Sequence, residues 1–111
     1  MSKRGDKLYF EDIVNSIEKI EGYVEGMDFE SFSNDFKTID AVVRNLSVIG
    51  EAVNNLSEKI KSDNTNIPWN EIIGMRNKII HEYFGVDEEI LWKTIKEDLP
   101  EFRKLLKKIR R

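Results

Sequence analysis

Apolar residues recur every three or four positions in stretch after stretch of this chain, and no segment alternates in the manner of a strand. From Asp6 to Glu25 the apolar positions are Tyr9, Ile13, Ile17, Ile20 and Val24, a single stripe along one face of a helix. Between about Asn34 and Lys61 a second stripe comprises Ile39, Val42, Val43, Leu46, Ile49, Val53, Leu56 and Ile60. This predicts one long helix, with Ser33 as N-cap and Asp35 near the positive end of its dipole. Asp40, Arg44, Ser47, Glu51, Asn54 and Glu58 fall on its opposite, polar face, and Gly50 falls inside the apolar arc. Glycine there costs about 1 kcal/mol relative to alanine, which suggests a close helix crossing.

The punctuation agrees with this periodicity. Gly26 suits the end of the first helix. Met27–Phe32 reads as a short connector, with Asp28 opening one turn. The Ser62–Asn66 segment is a polar loop, and Pro68 suits the start of a third helix running to about Phe84. Gly85 is its expected stop, and Asp87 caps the next helix, which carries Ile90, Leu91 and Ile95. Pro100 predicts a break near Asp98. Phe102, Leu105, Leu106 and Ile109 then line a final segment. The expectation is one all-α domain over residues 1–111, an antiparallel up-and-down bundle of four long helices with the last one split near Pro100.

Composition narrows the function classes. With 111 residues there is room for one modest core. The formal net charge of −3 argues against coating nucleic acid indiscriminately, yet leaves room for a local basic site. The absence of cysteine removes disulfides, thiolate chemistry and Cys-based zinc sites, and fits a reducing cytoplasm. No apolar run approaches the roughly 20 residues that span a bilayer, so no membrane association is expected. The N-terminal residues lead into an acidic amphipathic stretch that does not read as a signal peptide.

The third helix holds the residue that breaks the pattern. With Ile72 at 0° and roughly 100° per residue, Met75, Ile79, Ile80, Tyr83 and Ile73 fill one arc, and Arg76 falls at about 40°, near its middle. A lone buried guanidinium costs several kcal/mol. Arg76 must therefore meet a carboxylate inside the bundle or face a groove that holds an anion. Asn77 and His81 lie one turn apart on the rim of the same face, and Tyr83 shares the Arg76 stripe. Arginine carries phosphate charge well, and histidine moves protons near neutral pH. The same residues also admit a structural reading: a bundle-tying ion pair, an exposed histidine and a core tyrosine.

Arg76, four residues, His81, one residue, then Tyr83 resembles the Arg-x4-His-x-Tyr motif of HepT-like toxins, small helical ribonucleases of the HEPN superfamily found in type VII toxin–antitoxin systems. Further blocks carry the resemblance along nearly the whole chain: Asp40 to Leu46, Ile49 to Ala52, Ile67-Pro68-Trp69, Gly74 to Asn77, Tyr83 to Asp87, Trp92, and Asp98-Leu99-Pro100. It implies a homodimer with motif helices from two subunits flanking one cleft. It also implies metal-independent RNA cleavage without a cofactor, and a minimal nucleotidyltransferase antitoxin that attaches AMP to the motif tyrosine, here Tyr83. Carried over, Arg76, Asn77 and His81 are the catalytic set, with no metal ligands. The alternative is a non-catalytic dimerisation module that binds the nucleotidyltransferase.

The chemistry is self-consistent. RNA supplies its own nucleophile, the 2′-hydroxyl, and needs a base, an acid and positive charge at the phosphorane. The chain has one histidine, so two-histidine chemistry requires two copies. On the second helix, Asp40, Arg44 and Glu51 read either as a solvated face or as support: Glu51 or Asp40 orienting Arg76, or Arg44 extending a phosphate-binding strip. The basic residues from Arg103 to Arg111 are read as complementing the last helix dipole, with RNA-backbone contact as the alternative.

Overall fold

The architecture is that of a computed structural model, which describes residues 5–81 and 87–109, with the side chains of residues 79–81 left out of the description. Every regular element among the described residues is helical. In order they are α1 (Asp6–Tyr23), α2 (Phe29–Ser33), α3 (Phe36–Asn55), α4 (Glu58–Asp63), α5 (Trp69–His81), α6 (Glu88–Lys93), a π-helical turn (Thr94–Asp98) and α7 (Leu99–Lys107).

The first stripe becomes the buried face of α1. Ile13, Ile17 and Ile20 are inaccessible to solvent, and Phe10 joins them, while Tyr9 sits half-buried at the edge of the core. The helix ends at Tyr23, and Gly26, at φ 79°, reverses the chain in a conformation that side chains disfavour. Asp28 and Ser31 then form a reciprocal capping box that starts α2.

The long second helix begins and ends differently from expectation. Its N-cap is Asp35, whose carboxylate accepts from the Thr38 amide at 3.0 Å and the Thr38 hydroxyl at 2.8 Å. Ser33 is instead the last residue of α2. At the other end the apolar spacing continues through Leu56 and Ile60, yet α3 stops at Asn55. Ser57 is extended (φ −63°, ψ 151°), accepts from the Ile60 amide and starts α4. The break is tied to a residue far away in sequence. Asp6 accepts from the Ser57 amide at 2.9 Å and from its hydroxyl at 2.7 Å. A carboxylate at the start of α1 thus holds the chain out of helix where periodicity alone would continue it.

α3 is the central element, packed against α1 on one side and α5 on the other. Its buried residues, among them Val42, Leu46, Ile49 and Val53, face both neighbours. Each such side chain contributes roughly 1.5–3 kcal/mol by leaving water. Beyond α5, whose expected end at Gly85 lies outside the described residues, Asp87 caps α6 through the Glu89 amide at 2.7 Å. The split expected at Pro100 is a widened turn rather than an interruption. Proline offers no N–H and crowds the carbonyl four residues back. The chain opens to π geometry over Thr94–Asp98, with the Leu99 amide reaching back to the Thr94 carbonyl, and α7 follows directly. Trp69 and Phe102 meet edge-on at 6.3 Å between centroids, joining α5 to α7. Trp92 packs on Phe32 at 5.0 Å, joining α6 to α2.

Candidate active site

The close crossing expected at Gly50 is where α3 meets α5. A methyl group at Gly50 would overlap the Cβ and Cγ of Arg76. Glycine therefore lets α5 approach α3 so nearly that the stem of Arg76 lies on the backbone of the neighbouring helix. This placement brings the guanidinium beside Glu51, the next residue along α3.

Arg76 meets both halves of the alternative its position posed. Its Nη2 donates to Oε1 of Glu51 in a short ion pair, and its Nη1 donates to Oδ1 of Asn77 at 2.7 Å. The Nε is buried and finds no acceptor among the described residues. Two of the five guanidinium N–H donors are thus engaged. The other donors are directed by a side chain whose orientation is fixed on two sides. Glu51 is itself contacted by the Asn55 amide, at 3.4 Å from Oε2.

The pair forms one wall of an open groove of about 650 Å³ between α1, α3 and α5. Arg44 and Ser47 line it from α3, and Tyr9 and Asp12 from α1. Of the polar residues singled out on the second helix, Glu51 and Arg44 reach this groove. Asp40 does not line it, and lies exposed one turn before Arg44. Arg44 makes no hydrogen bond or ion pair among the described residues. Its side chain is exposed. Asn77 is exposed, and its amide oxygen accepts from Arg76. The backbone of His81 belongs to α5, while its side chain and the whole of Tyr83 lie outside the described residues.

Tyr9 and Asp12 escaped the sequence reading. Tyr9 fits the apolar stripe of α1, and nothing local distinguishes a tyrosine at the core's edge from one lining a groove. Asp12 lies three residues further on, on the neighbouring face; the cue was a carboxylate flanking an apolar stripe, which is common on any amphipathic helix. Among the described residues no three acidic or histidine side chains converge as a metal-binding group. The polar groups of the groove are guanidinium, carboxylate, amide and hydroxyl.

Arg103, from the C-terminal basic cluster, has a different setting. It reaches from α7 to α1, where its Nη1 donates to Glu21 at 2.6 Å and its Nη2 to Glu18 at 3.1 Å. It ties the last helix to the first.

Comparison with known proteins places the chain in a family. The ribonuclease HepT-like family matches residues 13–109. The chain belongs to that family. It is 47% identical over 109 residues to a protein of Thermococcus cleftensis named "Probable ribonuclease HepT", covering 98% of this chain and 99% of the relative. It is 45% identical over 101 residues to an RNase-named protein of Caldanaerobacter subterraneus subsp. tengcongensis, covering 91% of this chain and 90% of that one. No solved structure gives a significant match. Membership in a ribonuclease family and an all-helical fold are thus both as the motif implied. Among the described residues no helix is long and apolar enough to cross a membrane.

Proposed function

We propose that this HepT-like protein is the toxin of a toxin–antitoxin pair, an endoribonuclease that cleaves RNA through the substrate's own 2′-hydroxyl without a metal ion. The observation that carries this reading is Arg76. A guanidinium pinned by Glu51 and Asn77 on the wall of an open groove, with donors left over, is built to receive an anion. In the reaction the 2′-oxygen attacks phosphorus, the 5′-oxygen leaves, and the product ends are a 2′,3′-cyclic phosphate and a 5′-hydroxyl. Arg76 stabilises the charge that builds on the non-bridging oxygens. His81 takes the proton from the 2′-hydroxyl or gives one to the 5′-oxygen. The single histidine per chain makes the second role one for the His81 of a second copy, so the active unit is a homodimer. Asn77 serves the site through Arg76, as a positioning residue. Glu51 does the same from α3.

Control falls to Tyr83. Attachment of AMP there by a cognate minimal nucleotidyltransferase adds a phosphate that occupies Arg76 and a nucleoside that blocks the groove. A cytoplasmic setting, where RNA and ATP are both at hand, completes the reading.

The test is cleavage of an RNA oligonucleotide with chelator present, beside the same strand carrying one 2′-deoxy position. Wild-type protein should cut every site except the one preceded by deoxyribose, and His81→Ala should stop cutting while the dimer persists in sedimentation. Cleavage at the deoxy position at the same rate would rule out the 2′-hydroxyl as nucleophile. Tyr83→Phe that stayed fully subject to the transferase would remove Tyr83 as the point of control.

A further inference from the structure

The groove at Arg76 does not close at Arg44. A second recess of about 350 Å³ continues it along α1 and α3, sharing Asp12, Arg44 and Val48 and ending at Lys19 and Tyr23. The two form one channel along the α1–α3 seam. Three cations mark its length. Arg76 stands at one end on Glu51. Arg44 lies two helical turns before Glu51 on α3, roughly 10 Å away along the axis. Lys19 lies two turns beyond Asp12 on α1.

Arg44 and Lys19 make no ion pair among the described residues, nor do Lys7 and Lys78, but Arg44 and Lys19 are the ones that line this channel. Arg103 is held by Glu18 and Glu21. Lys59, Lys93 and Lys104 each face an acid on their own helix. Between the cations the floor is apolar where Tyr9, Val48 and Ala52 line it, and Ser47 adds a hydroxyl. Two carboxylates also border the channel. Glu51 is engaged by Arg76, and Asp12 lines both recesses.

We propose that this channel is the path of single-stranded RNA, running from the scissile phosphate at Arg76 past Arg44 to Lys19. Spaced cations with apolar floor between them match a polymer of alternating phosphate and flat nucleoside. A single channel along one helix seam suits one strand rather than a duplex, whose two backbones lie on opposite sides. The proposal rests on the ribonuclease reading for the identity of the strand, but its prediction concerns binding.

The experiment is fluorescence anisotropy of a labelled 2′-O-methyl oligoribonucleotide, which has no free 2′-hydroxyl to attack with, over a series of salt concentrations. Full-length protein is used throughout. Arg44→Gln should weaken binding about three- to tenfold and flatten the slope of log K against log salt by about 0.7, the release of one counterion from a single strand. Lys19→Gln should flatten it by the same amount with a smaller loss of affinity. Lys59→Gln, away from the channel, should leave both unchanged, and the duplex form of the same oligonucleotide should compete poorly. Wild-type affinity and slope in both channel variants would overturn the path, as would a wild-type protein that does not bind the strand, or a duplex that competes as well as the single strand. Cleavage of unmodified RNA, followed in parallel, separates the two ideas. Cutting without any effect of Arg44 or Lys19 on binding sinks the path alone. Binding along the channel without cutting sinks the ribonuclease reading alone.

Discussion

Arg76 and Arg103 make nearly the same bonds. Each reaches from an apolar helix face to a neighbouring helix, donates both terminal nitrogens, and keeps a buried Nε without an acceptor among the described residues. Their settings differ in charge and in room. Arg103 has two carboxylates, Glu18 and Glu21, so its charge is more than matched. Arg76 has one carboxylate and one neutral amide, and it lines a groove. An over-matched arginine holds two helices together. A singly matched arginine at an open wall has capacity to spare for a phosphate. An arginine in an amphipathic helix is therefore not in itself a sign of a site; the balance of its partners is.

That contrast can be broken first at Gly50. In Gly50→Val the side chain would push into the stem of Arg76. Overpacking of this kind costs roughly 1–3 kcal/mol, read as a lower midpoint in urea. It should also cut RNA cleavage by at least tenfold, because the guanidinium moves with its stem. Gly22, beside Glu21 at the Arg103 contact, would meet nothing within 4 Å if given a side chain, and a drop in stability without a drop in cleavage would detach Gly50 from the site.

The partners of the two arginines sharpen the contrast at a smaller scale. Glu51→Gln removes the charge that fixes Arg76 while keeping a hydrogen-bonding side chain. Cleavage should fall about tenfold in kcat with KM nearly unchanged, since the phosphate still finds a guanidinium but a less ordered one. Stability should barely move, because both partners are partly exposed. Glu18→Gln is the counterpart at Arg103. It should leave cleavage intact and cost under about 1 kcal/mol, because Glu21 remains. A fall in KM and kcat together for Glu51→Gln would instead point to relief of competition between Glu51 and the phosphate.

How far these differences were legible in the sequence depends on distance along the chain. The stripe of α1 and the face of α3 are repeated locally, so periodicity exposes them. So is the anomaly of Arg76 among Ile72, Met75 and Ile79. The stop of α3 at Asn55 is not local. Val53, Leu56 and Ile60 keep helical spacing across it, and the decisive partner of Ser57 is Asp6, at the other end of the chain in sequence. Glu51 and Asp40 were equal candidates to hold Arg76 because both sit on the polar face of α3. The choice falls to Glu51 because it adjoins Gly50, where α5 comes closest. Arg103 read as a dipole-complementing cation because Glu18 and Glu21 belong to another helix. Tyr9 read as core for the same reason: the groove exists only once α1 lies on α3.

The smallest effect concerns pH. Backbone and hydroxyl hydrogen bonds from Thr38 hold the Asp35 carboxyl below its ordinary value of 3.8, and those from Ser31 do the same for Asp28. A carboxyl whose folded pKa is depressed stabilises the fold fully above its unfolded value, and that contribution is lost as pH falls through the folded one. Melting temperature should therefore be flat near neutrality and decline below about pH 4. Asp35→Asn, which still caps but does not titrate there, should decline less. An identical acid limb in Asp35→Asn would place the loss elsewhere.

The most direct measurement makes the same substitution at both arginines and reads two quantities from each protein. Arg76→Ala should lower kcat for RNA cleavage about 10²–10³-fold, as removal of a transition-state donor does, with only a small change in the urea midpoint. Arg103→Ala should keep wild-type cleavage and lower stability by about 1–2 kcal/mol, since two carboxylates lose their shared cation and α7 loses its tie to α1. If Arg76→Ala cleaved like the wild type, or if both variants lost activity only in proportion to lost stability, Arg76 would be a second bundle-tying arginine and the groove beside it would not be where RNA is cut.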